Sequence, residues 1–302
     1  MPAAGSSPQH IEIGPHRVRL TNLDKVLYPA DGTTKAEVVR WYADAAPALA
    51  PYAQDRPVTR KRWPDGVAAA SFFEKQIPRG TPDWVARVTL PHTDRDITYP
   101  LIPADPTGAL ATLVWFAQSG ALELHVPQWT VLDDGVGDPD RIVIDLDPGP
   151  GAGLVECCVV AREIRDRMRD DALMAVPVTS GSKGMQLYAA LRSSAIEGAS
   201  SEIVSEYVKQ LAQSLTRDLP DLVLWRMTKD LRAGKVFVDW SQNNGRKTTI
   251  TPWSLRGRDR AFVALPRTWD EVDAGGLIQL AIPEARERLA HPDPLLSLAT
   301  RP

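Results

Sequence analysis

The sequence predicts an α/β (α+β) fold, in which mixed, largely antiparallel sheets carry helices on their outer sides. One observation is a run of β-branched residues that ends abruptly in a turn, RIVIDLDPGPG, at residues 141–151. A second is the segment VPVTSGSKGMQLYAA, whose glycine-bearing turn between two apolar runs predicts an antiparallel hairpin. A third is the stretch at 154–168, where apolar residues recur at helical spacing opposite a charged face.

Composition limits the kinds of partner that the chain can bind. It has 302 residues, 43% of them hydrophobic, and a formal net charge of -3, so it can bury a sizeable core. The slightly negative charge argues against bulk electrostatic attraction to nucleic acid, so a polyanionic partner must bind local basic clusters. No stretch approaches the roughly 20 apolar residues of a membrane span. We expect a disordered leader at 1–10, no signal peptide, no membrane partner and a cytoplasmic protein.

The N-terminal part is predicted to contain a strand at 11–20 and a helix that begins after Thr34. Thr34 is an N-cap residue type and Glu37 stands three residues further on, which is the spacing of a capping box. Lys25 and Lys35 lie on either side of the loop before this helix. Because a helix N-terminus has free N–H groups and a positive dipole end, the pair suits a phosphate. The alternative is two solvated lysines.

A basic and aromatic segment follows. RKRW at 60–63 precedes a Pro-Asp-Gly turn and the pair Phe72 and Phe73. Basic residues interleaved with aromatic ones are typical of a surface that follows phosphates and stacks bases. The alternative is that both phenylalanines belong to the core. Residues 77–108 are expected to form a long loop with a strand near 85–90.

The next predicted elements are a helix from about residue 110 to 119 and the strand ALELHVPQW, in which His125 is either a core or a site residue. A further amphipathic helix is predicted at 201–215. The tail at 271–302 is polar and helical in tendency.

Three aspartates end two predicted strands. Asp145 and Asp147 flank Leu146 at the end of the β-branched run, and Asp239 ends the strand predicted at 235–240. Because strand side chains alternate, Asp145 and Asp147 share one face while Leu146 faces the core. Such carboxylates raise each other's pKa unless hard divalent cations neutralise them. The alternative is a solvated strand end.

The turn of the predicted hairpin is a candidate anion site. It offers Ser180, Ser182, Lys183 and several backbone N–H groups. It is not a P-loop, because GxxxxGK[ST] leading into a helix is absent. Three aspartates, an anion loop and basic segments together suit metal-assisted nucleotidyl transfer, in which two cations roughly 4 Å apart act on the attacking hydroxyl and the leaving pyrophosphate.

Eight segments carry a family resemblance: TNLDKVLYPADGTTK, RKRWPDG, FFEKQ, LELHVPQW, IDLDPG, TSGSKG, LRAGKVFVDWSQN and KTTITPWSLRGR. In this order they resemble the polymerase domain of bacterial ligase D, within the archaeo-eukaryotic primase superfamily, over about residues 10 to 270. The resemblance implies a primase-polymerase core, and a single domain at 11–302. Within it we expect a DNA-contacting module at 11–125, a catalytic core at 126–270 and the helical tail.

The resemblance also implies roles for individual residues. The catalytic metal-binding triad is Asp145, Asp147 and Asp239, which would hold two manganese or magnesium ions. Ser180 and Lys183 match the triphosphate loop and Arg256 the phosphate clamp. The nucleotide-binding residues would be Lys61, His125, Ser180, Lys183, Gln186, Ser241, Gln242 and Arg256.

On the DNA side, the resemblance implies a pocket for a downstream 5′-phosphate formed by Asn22, Lys25 and Lys35. Phe72 and Phe73 match the pair on the templating side, of which Phe73 is the better candidate for base stacking. Arg232 and Lys235 match basic positions near the template.

One position departs from the family pattern. Gln186 stands where most relatives have histidine in SGSKGxH, and its amide can donate a hydrogen bond but cannot carry a proton. We therefore expect activity with altered handling of the nucleotide.

The expected function is filling of short gaps or extension of broken DNA ends with nucleoside triphosphates, ribonucleotides preferred, by a protein associated with the bacterial nucleoid. Ku and a DNA ligase acting in trans are expected partners, since the chain shows neither a ligase nor a nuclease domain and resembles an excised domain or a stand-alone paralogue. The alternatives are a de novo primase and an end-bridging module of non-homologous end joining.

Overall fold

The computed structural model describes residues 8–132, 135–192 and 194–295. In chain order its strands are β1 (Gln9–Ile13), β2 (His16–Leu20), β3 (Val26–Tyr28), β4 (Thr33–Thr34), β5 (Thr59–Arg62), β6 (Phe72–Glu74), β7 (Arg87–Pro91), β8 (Asp96–Pro100), β9 (Ala121–Val126), β10 (Trp129–Leu132), β11 (Gly135–Pro139), β12 (Arg141–Pro148), β13 (Val176–Thr179), β14 (Met185–Ala190), β15 (Val223–Leu224), β16 (Val236–Asp239), β17 (Thr249–Ile250) and β18 (Leu265–Pro266). The helices are α1 (Lys35–Ala53), α2 (Pro106–Gln118), α3 (Leu154–Asp170), α4 (Ser201–Asp218), α5 (Trp269–Ala274) and α6 (Ile282–Arg288).

Two sheets carry the residues of interest. The larger has six strands in the order β15-β16-β12-β14-β13-β18, and the smaller has four in the order β17-β9-β5-β6. Neighbouring strands are antiparallel except β15 and β16, which are parallel. The predicted fold class, mixed and largely antiparallel sheets with helices, is confirmed.

The six-stranded sheet has two different faces. One packs its alternating residues, such as Ile144, Leu146 and Val238, into a core with α3 and α4. The other face joins a second core at Val143 and Tyr188, which also contains the buried sides of α1 and α2. Because the period of a strand is two, the residues that follow Val143 on this face, Asp145 and Asp147, lie on the side of the sheet away from α3 and α4.

Local signals explain where several elements begin. Thr34 caps α1, since its hydroxyl accepts from the backbone N–H of Glu37 at 3.3 Å and the Glu37 carboxylate accepts from the backbone N–H of Thr34 at 2.7 Å. The predicted capping box is therefore confirmed. The predicted hairpin at 176–190 is confirmed as β13 and β14.

Three sequence predictions differ from the structure. The single strand expected at 11–20 is a hairpin, because Gly14, with φ of +55°, turns the chain between β1 and β2. Residues 9 and 10 of the expected leader belong to β1, and residues 1–7 lie outside the described residues. The long loop expected at 77–108 contains the β7–β8 hairpin, and α2 begins at Pro106 after its N-cap Asp105.

The C-terminal tail is helical over α5 and α6 as far as it is described, and residues 296–302 lie outside the described residues. Across the described ranges, no helix combines the length and the apolar character that crossing a membrane requires.

Candidate active site

Three neighbouring strands place three polar side chains in one row. Asp145 of β12 is the register partner of Asp239 on β16 and of Gln186 on β14. Adjacent strands lie about 4.8 Å apart, so the backbone ladder sets the spacing of this row. Leu146 is 1% exposed and packs into the helix-covered core. The alternation predicted for this strand is therefore confirmed.

The row concentrates negative charge in a partly enclosed place. The pKa of Asp145 is raised to about 7 by burial and then by the charge of Asp239, against a hydrogen bond from Gln186. Asp239 is held by the backbone N–H of Ser241 and by the amide of Gln242, each at 3.0 Å. The solvated alternative does not describe Asp145, because its surroundings disfavour its charge.

Asp147 lies further along the same face and differs from the other two aspartates. Its side chain is half exposed, and its Oδ2 accepts from Nη1 of Arg232 at 3.0 Å. The guanidinium of Arg232 also lies over the ring of Phe237, 4.0 Å from its centroid. Of the predicted basic positions near the template, Arg232 is thus at the carboxylates.

The donor set suits a hard divalent cation. Carboxylate oxygens are the ligands that magnesium and manganese prefer, and a cation beside Asp145 would lower its raised pKa. As the side chains stand, no three acidic, histidine or cysteine residues in the described ranges are grouped to hold a metal ion. The register brings Asp145 and Asp239 together, while Asp147 is paired with Arg232.

A pocket of about 350 Å³ opens beside Asp145 and Asp147. Its wall includes the predicted anion loop and two arginines, and the residues that line it are Asp145, Leu146, Asp147, Ser180, Ser182, Lys183, Gly184, Gln186, Arg256 and Arg258. Three cationic side chains thus face two carboxylates across one cavity. This is the charge pattern of a site for a polyanion that arrives with divalent cations.

Two glycines let the anion loop approach this pocket closely. A Cβ on Gly184 would lie 1.9 Å from the carbonyl oxygen of Leu146, and one on Gly181, with φ of +64°, would lie 2.5 Å from Cγ of Arg256. Only residues without a Cβ fit there. The loop is therefore fixed against the end of β12 and against Arg256.

A buried glutamate connects His125 to the same cavity wall. Glu123 accepts from Nε2 of His125 at 2.8 Å and from the backbone N–H of Gly257 at 3.0 Å, and Nε of Arg256 lies 3.5 Å away. Burial acts to raise the pKa of Glu123, but the hydrogen bond from His125 and the charge of Arg256 outweigh it and lower the pKa to about 2. The pKa of His125 is lowered, chiefly by burial.

The two phenylalanines of β6 point to opposite faces of the four-stranded sheet. Phe72 is 45% exposed and lies 5.4 Å from the guanidinium of Arg62. Phe73 is 59% exposed, contacts His125 edge-on at 5.6 Å, and lies 5.2 Å from Nζ of Lys61. The alternative that both belong to the core is wrong. Phe73 shares its face with two residues of the predicted nucleotide pocket.

The predicted phosphate pocket lies in the turn before α1. The backbone N–H of Lys25 donates to the carbonyl of Asn22 at 3.1 Å, and that of Lys35 donates to the carbonyl of Lys25 at 2.8 Å. Lys35 is 8% exposed, and burial followed by the charges of Lys25 and Arg62 lowers its pKa to about 8. Lys25 Nζ pairs with Asp65 at 2.6 Å. Lys35 is therefore not a solvated lysine.

Comparison with known proteins identifies the family of the chain. A family model described as "LigD, primase-polymerase domain" matches residues 34–295. The chain belongs to this family. As a LigD primase-polymerase domain it is a nucleotidyltransferase, and the family that the sequence resembles is confirmed.

Several proteins resemble this primase-polymerase. "Multifunctional non-homologous end joining protein LigD" of Mycolicibacterium smegmatis is 50% identical over 273 residues, which cover 90% of this chain and 35% of the relative. "Bifunctional non-homologous end joining protein LigD" of Bacillus subtilis is 30% identical over 258 residues, 85% of this chain and 40% of the relative. The chain thus spans about a third of the length of the curated relatives it matches first.

A solved structure, "Polymerase Domain from Mycobacterium tuberculosis Ligase D in complex with DNA", superposes with a TM-score of 0.87 at 47% identity. The match covers 94% of this chain and 98% of the solved one. The fold of this primase-polymerase is therefore that of the LigD polymerase domain.

Three of the predicted site residues form hydrogen bonds to other residues of the protein. Nζ of Lys235 donates to the carbonyl of Pro220 at 2.6 Å. This hydrogen bond holds the ammonium group of Lys235 away from the carboxylates. The hydroxyl of Ser241 donates to Asp239, and Gln242 also bonds to Asp239. Both therefore fix a carboxylate in this primase-polymerase.

Sequence reasoning missed three residues of the site: Glu123, Lys247 and Arg258. Nζ of Lys247 donates to the hydroxyl of Ser241, and Arg258 lines the anion pocket. Arg258 lies in the segment KTTITPWSLRGR, which carries part of the family resemblance, and could have been predicted from it. A lone glutamate in a strand, such as Glu123, gives no such signal.

Proposed function

We propose that this chain fills short gaps in DNA or extends broken DNA ends, by DNA-directed transfer of nucleotides. The observation that carries the proposal is the row of Asp145, Asp239 and Gln186, which lies beside a pocket lined by Lys183 and Arg256. Paired carboxylates and cations around one cavity suit phosphoryl chemistry better than glycoside hydrolysis, which needs no cationic pocket.

Asp145, Asp147 and Asp239 would hold two divalent cations, manganese for preference and magnesium otherwise. When bound, these ions supply activation of the attacking 3′-hydroxyl and stabilisation of the leaving pyrophosphate. The protein holds Asp239 in place through Ser241 and Gln242. Arg232 pairs with Asp147 and partly neutralises the group before ions arrive.

The triphosphate would occupy the pocket of about 350 Å³, where Ser180 and Lys183 of the anion loop and Arg256 face it. Glu123 accepts from His125 and lies beside Arg256, and these contacts would hold both side chains toward the nucleotide. Lys61 and Phe73 stand on the same face as His125. They would contact the sugar and base, including the ribose for which we propose a preference.

The downstream edge of the gap would bind in the turn before α1. Lys35 is buried and pairs with no carboxylate in the described residues, so its charge favours binding of an anion. Lys25 and Asn22 complete the pocket. A terminal phosphate dianion should bind better there than an internal diester, because it carries more charge.

The relatives are named for non-homologous end joining, and this supports a role in repair of broken ends. Ku and a DNA ligase are the partners that we propose for it.

The test is primer extension on DNA with a short gap, with and without a downstream 5′-phosphate, and with ribonucleotides or deoxyribonucleotides. We expect extension that is stronger with the phosphate and with ribonucleotides. The Lys25→Ala/Lys35→Ala double variant should bind phosphorylated gapped DNA at least about tenfold more weakly and no better than the 5′-hydroxyl form. Arg169→Ala/Arg217→Ala is the matched control, because both arginines lie on α3 and α4, behind the six-stranded sheet.

Equal affinity of the unaltered protein for both ends would refute the phosphate pocket. Synthesis on template without a primer would favour a de novo primase. Tight binding of ends without nucleotide addition would favour an end-bridging module.

A further inference from the structure

A second cavity, of about 640 Å³, lies outside the anion pocket. It is enclosed by the β7–β8 hairpin, the β10–β11 hairpin, the start of α4 and the loop at 245–248. Its wall is both cationic and aromatic. Lys75, Arg246 and Lys247 line it with Tyr99 and Trp129, against the carboxylates of Asp138 and Glu202.

Two cations of this cavity, Lys75 and Arg246, are available to a ligand. Within the described ranges, neither Lys75 nor Arg246 forms an ion pair with a carboxylate. Nζ of Lys75 lies 3.5 Å from Nε2 of His92, another residue of the wall. The hydroxyl of Thr59, also in the wall, is buried and has no hydrogen-bond partner among the described residues. Basic and aromatic walls suit a nucleic-acid strand.

The cavity continues the face that carries Phe73 and Lys61. Lys61 is the register partner of Phe73, and Thr59 is the partner of His125. Because side chains alternate, Thr59 lies on the same face as Lys61, and Lys75, the first residue after β6, lines the same cavity as Thr59. The face of the four-stranded sheet that carries Lys61 and Phe73 therefore continues directly into the cavity wall.

The cavity and the proposed phosphate pocket lie toward opposite ends of β5. Thr59 begins this strand and Arg62 ends it, about 10 Å further on at 3.3 Å per residue. Arg62 lies close enough to Lys35 to lower its pKa, and Asp65 beyond it pairs with Lys25. In a gapped substrate the upstream strand must lie at the end away from the downstream phosphate, which is the end with the cavity.

The order of strands leads to the same place. The anion loop lies between β13 and β14, on one side of Asp145, whereas Asp239 on β16 lies on the other. In phosphoryl transfer the attacking and leaving oxygens are roughly in line across the phosphorus. A 3′-hydroxyl must therefore arrive from the side of Asp239. Lys247 connects that side to the cavity, since it lines the wall and donates to Ser241, which bonds to Asp239.

We propose that this cavity holds the last nucleotides of the strand being extended, with Lys75 and Arg246 on its phosphates. The proposal rests on the proposed function and adds the location of the upstream strand. It assigns Lys75 and Arg246 to the upstream edge of a gap, and leaves Lys25 and Lys35 for the downstream edge.

The test compares two DNAs that share a template and a phosphorylated downstream strand, one with and one without an upstream strand. Fluorescence anisotropy gives the affinity for each, and primer extension gives KM for the upstream strand and kcat. In the unaltered protein the upstream strand should strengthen binding. Lys75→Ala/Arg246→Ala should lose about tenfold in affinity for the DNA with an upstream strand, because two phosphate contacts are lost.

The same variant should bind DNA without the upstream strand as the unaltered protein does, and it should keep the preference for a 5′-phosphate. KM for the upstream strand should rise while KM for the nucleotide stays constant, and the salt dependence of binding should fall by about two in log–log slope. Arg169→Ala/Arg217→Ala again serves as the control for a loss of two positive charges.

An upstream strand that adds equal affinity in the variant and the unaltered protein would overturn the proposal. So would an equal loss on both DNAs, which would make these cations general DNA contacts. Failure of the proposed function is seen separately, as an absence of nucleotide addition by the unaltered protein.

Discussion

The carboxylate row is built differently from the surface that we propose for DNA, here called the DNA face, which is formed by β6 and the turn before α1. The row lies on β12, which has hydrogen-bonded neighbours on both sides, and on β16 and β14 beside it. Phe73 instead stands on β6, a three-residue edge strand with β5 as its one partner in the sheet. Lys25 and Lys35 lie in or beside a turn. Backbone ladders thus set distances at the row, whereas side-chain ion pairs set them at the DNA face.

The two regions also differ in how charge is balanced. Asp145 faces Asp239, with an amide on its other side, so the two carboxylates of the row repel each other. Beneath the DNA face, on the side of the sheet opposite Phe73, Glu74 lies between Arg60 and Arg62, at 2.6 Å and 2.9 Å. A substitution in the row should therefore change the rate of nucleotide addition. A substitution at the DNA face should instead change how the DNA is positioned.

The largest effect is expected from Asp145→Asn. The fold should survive, because the backbone ladder does not depend on the charge, and removal of the repulsion with Asp239 should leave the melting temperature of the metal-free protein unchanged or higher. Nucleotide addition should fall by at least about a thousandfold, since a cation ligand is lost. Single-turnover primer extension measures this. Asp166→Asn, on the surface of α3, is the control.

DNA affinity, measured by anisotropy, should stay within about twofold in Asp145→Asn, because the carboxylate holds cations and not phosphate. Extension within a few-fold of the unaltered protein would remove Asp145 from the metal site.

The next largest effect is expected from Glu74→Gln, and here the fold should respond. Arg60 is fully buried between Trp115 and Phe116, and Glu74 is its one carboxylate partner in the described residues. Loss of the partner of a buried charge should lower the free energy of unfolding by about 3 kcal/mol. Chemical denaturation measures it.

Glu206→Gln is the matched control for Glu74→Gln, since Glu206 pairs with Lys209 on the exposed side of α4 and should leave the denaturation midpoint unchanged. If Glu74→Gln is as stable as the unaltered protein, β6 is held in place by its backbone hydrogen bonds to β5, as the strands of the row are held by theirs.

A smaller effect concerns pH at the phosphate pocket. The pKa of Lys35 is lowered to about 8 by burial, so its charge is present below pH 8 and is lost as the pH rises through that value. The preference for a 5′-phosphate should therefore weaken above pH 8, by up to about tenfold per pH unit. Lys35→Arg should keep the preference, because arginine stays charged.

Anisotropy titrations of both DNA ends at pH 7, 8 and 9 test this. Identical pH profiles for the unaltered protein and for Lys35→Arg would show that Lys35 does not hold the phosphate.

The smallest effect is expected from Gln186→His. Gln186 is 4% exposed, donates to Asp145 and accepts from the hydroxyl of Tyr188 at 3.2 Å. A histidine could carry charge beside Asp145, so kcat/KM for the nucleotide should change a few-fold while DNA affinity stays constant. Steady-state kinetics with each nucleotide test this. If the two proteins behave alike, Gln186 is a structural residue.

The sequence predicted what short-range periodicity determines. Alternation placed Asp145 and Asp147 on one face, and the spacing of Thr34 and Glu37 predicted the start of α1. Short-range patterns could not predict that Asp145 pairs with Asp239, because the two residues are 94 positions apart in the sequence and no local pattern sets which strands meet. The resemblance to a family supplied that link.

Other features were missed for different reasons. Lys25 and Asp65 meet through tertiary packing across 40 residues, which no spacing rule anticipates. The β1–β2 hairpin was within reach, because Gly14 and Pro15 are turn residues inside the supposed strand. Alternation would also have sent Phe72 and Phe73 to opposite faces.

The carboxylate row has a genetic consequence. Because β12 enters the row through strand register, its neighbours can be substituted but its length cannot change. Deletion of one residue at 142–144 would shift the pairing by one and turn Asp145 and Asp147 toward the core under α3. The turn at 171–172, between α3 and β13, can accept extra codons, since it is exposed and follows a helix on the side of the sheet away from the row. Descendants of this gene should therefore vary in length at that turn, and frame-preserving deletions at 142–144 should be eliminated.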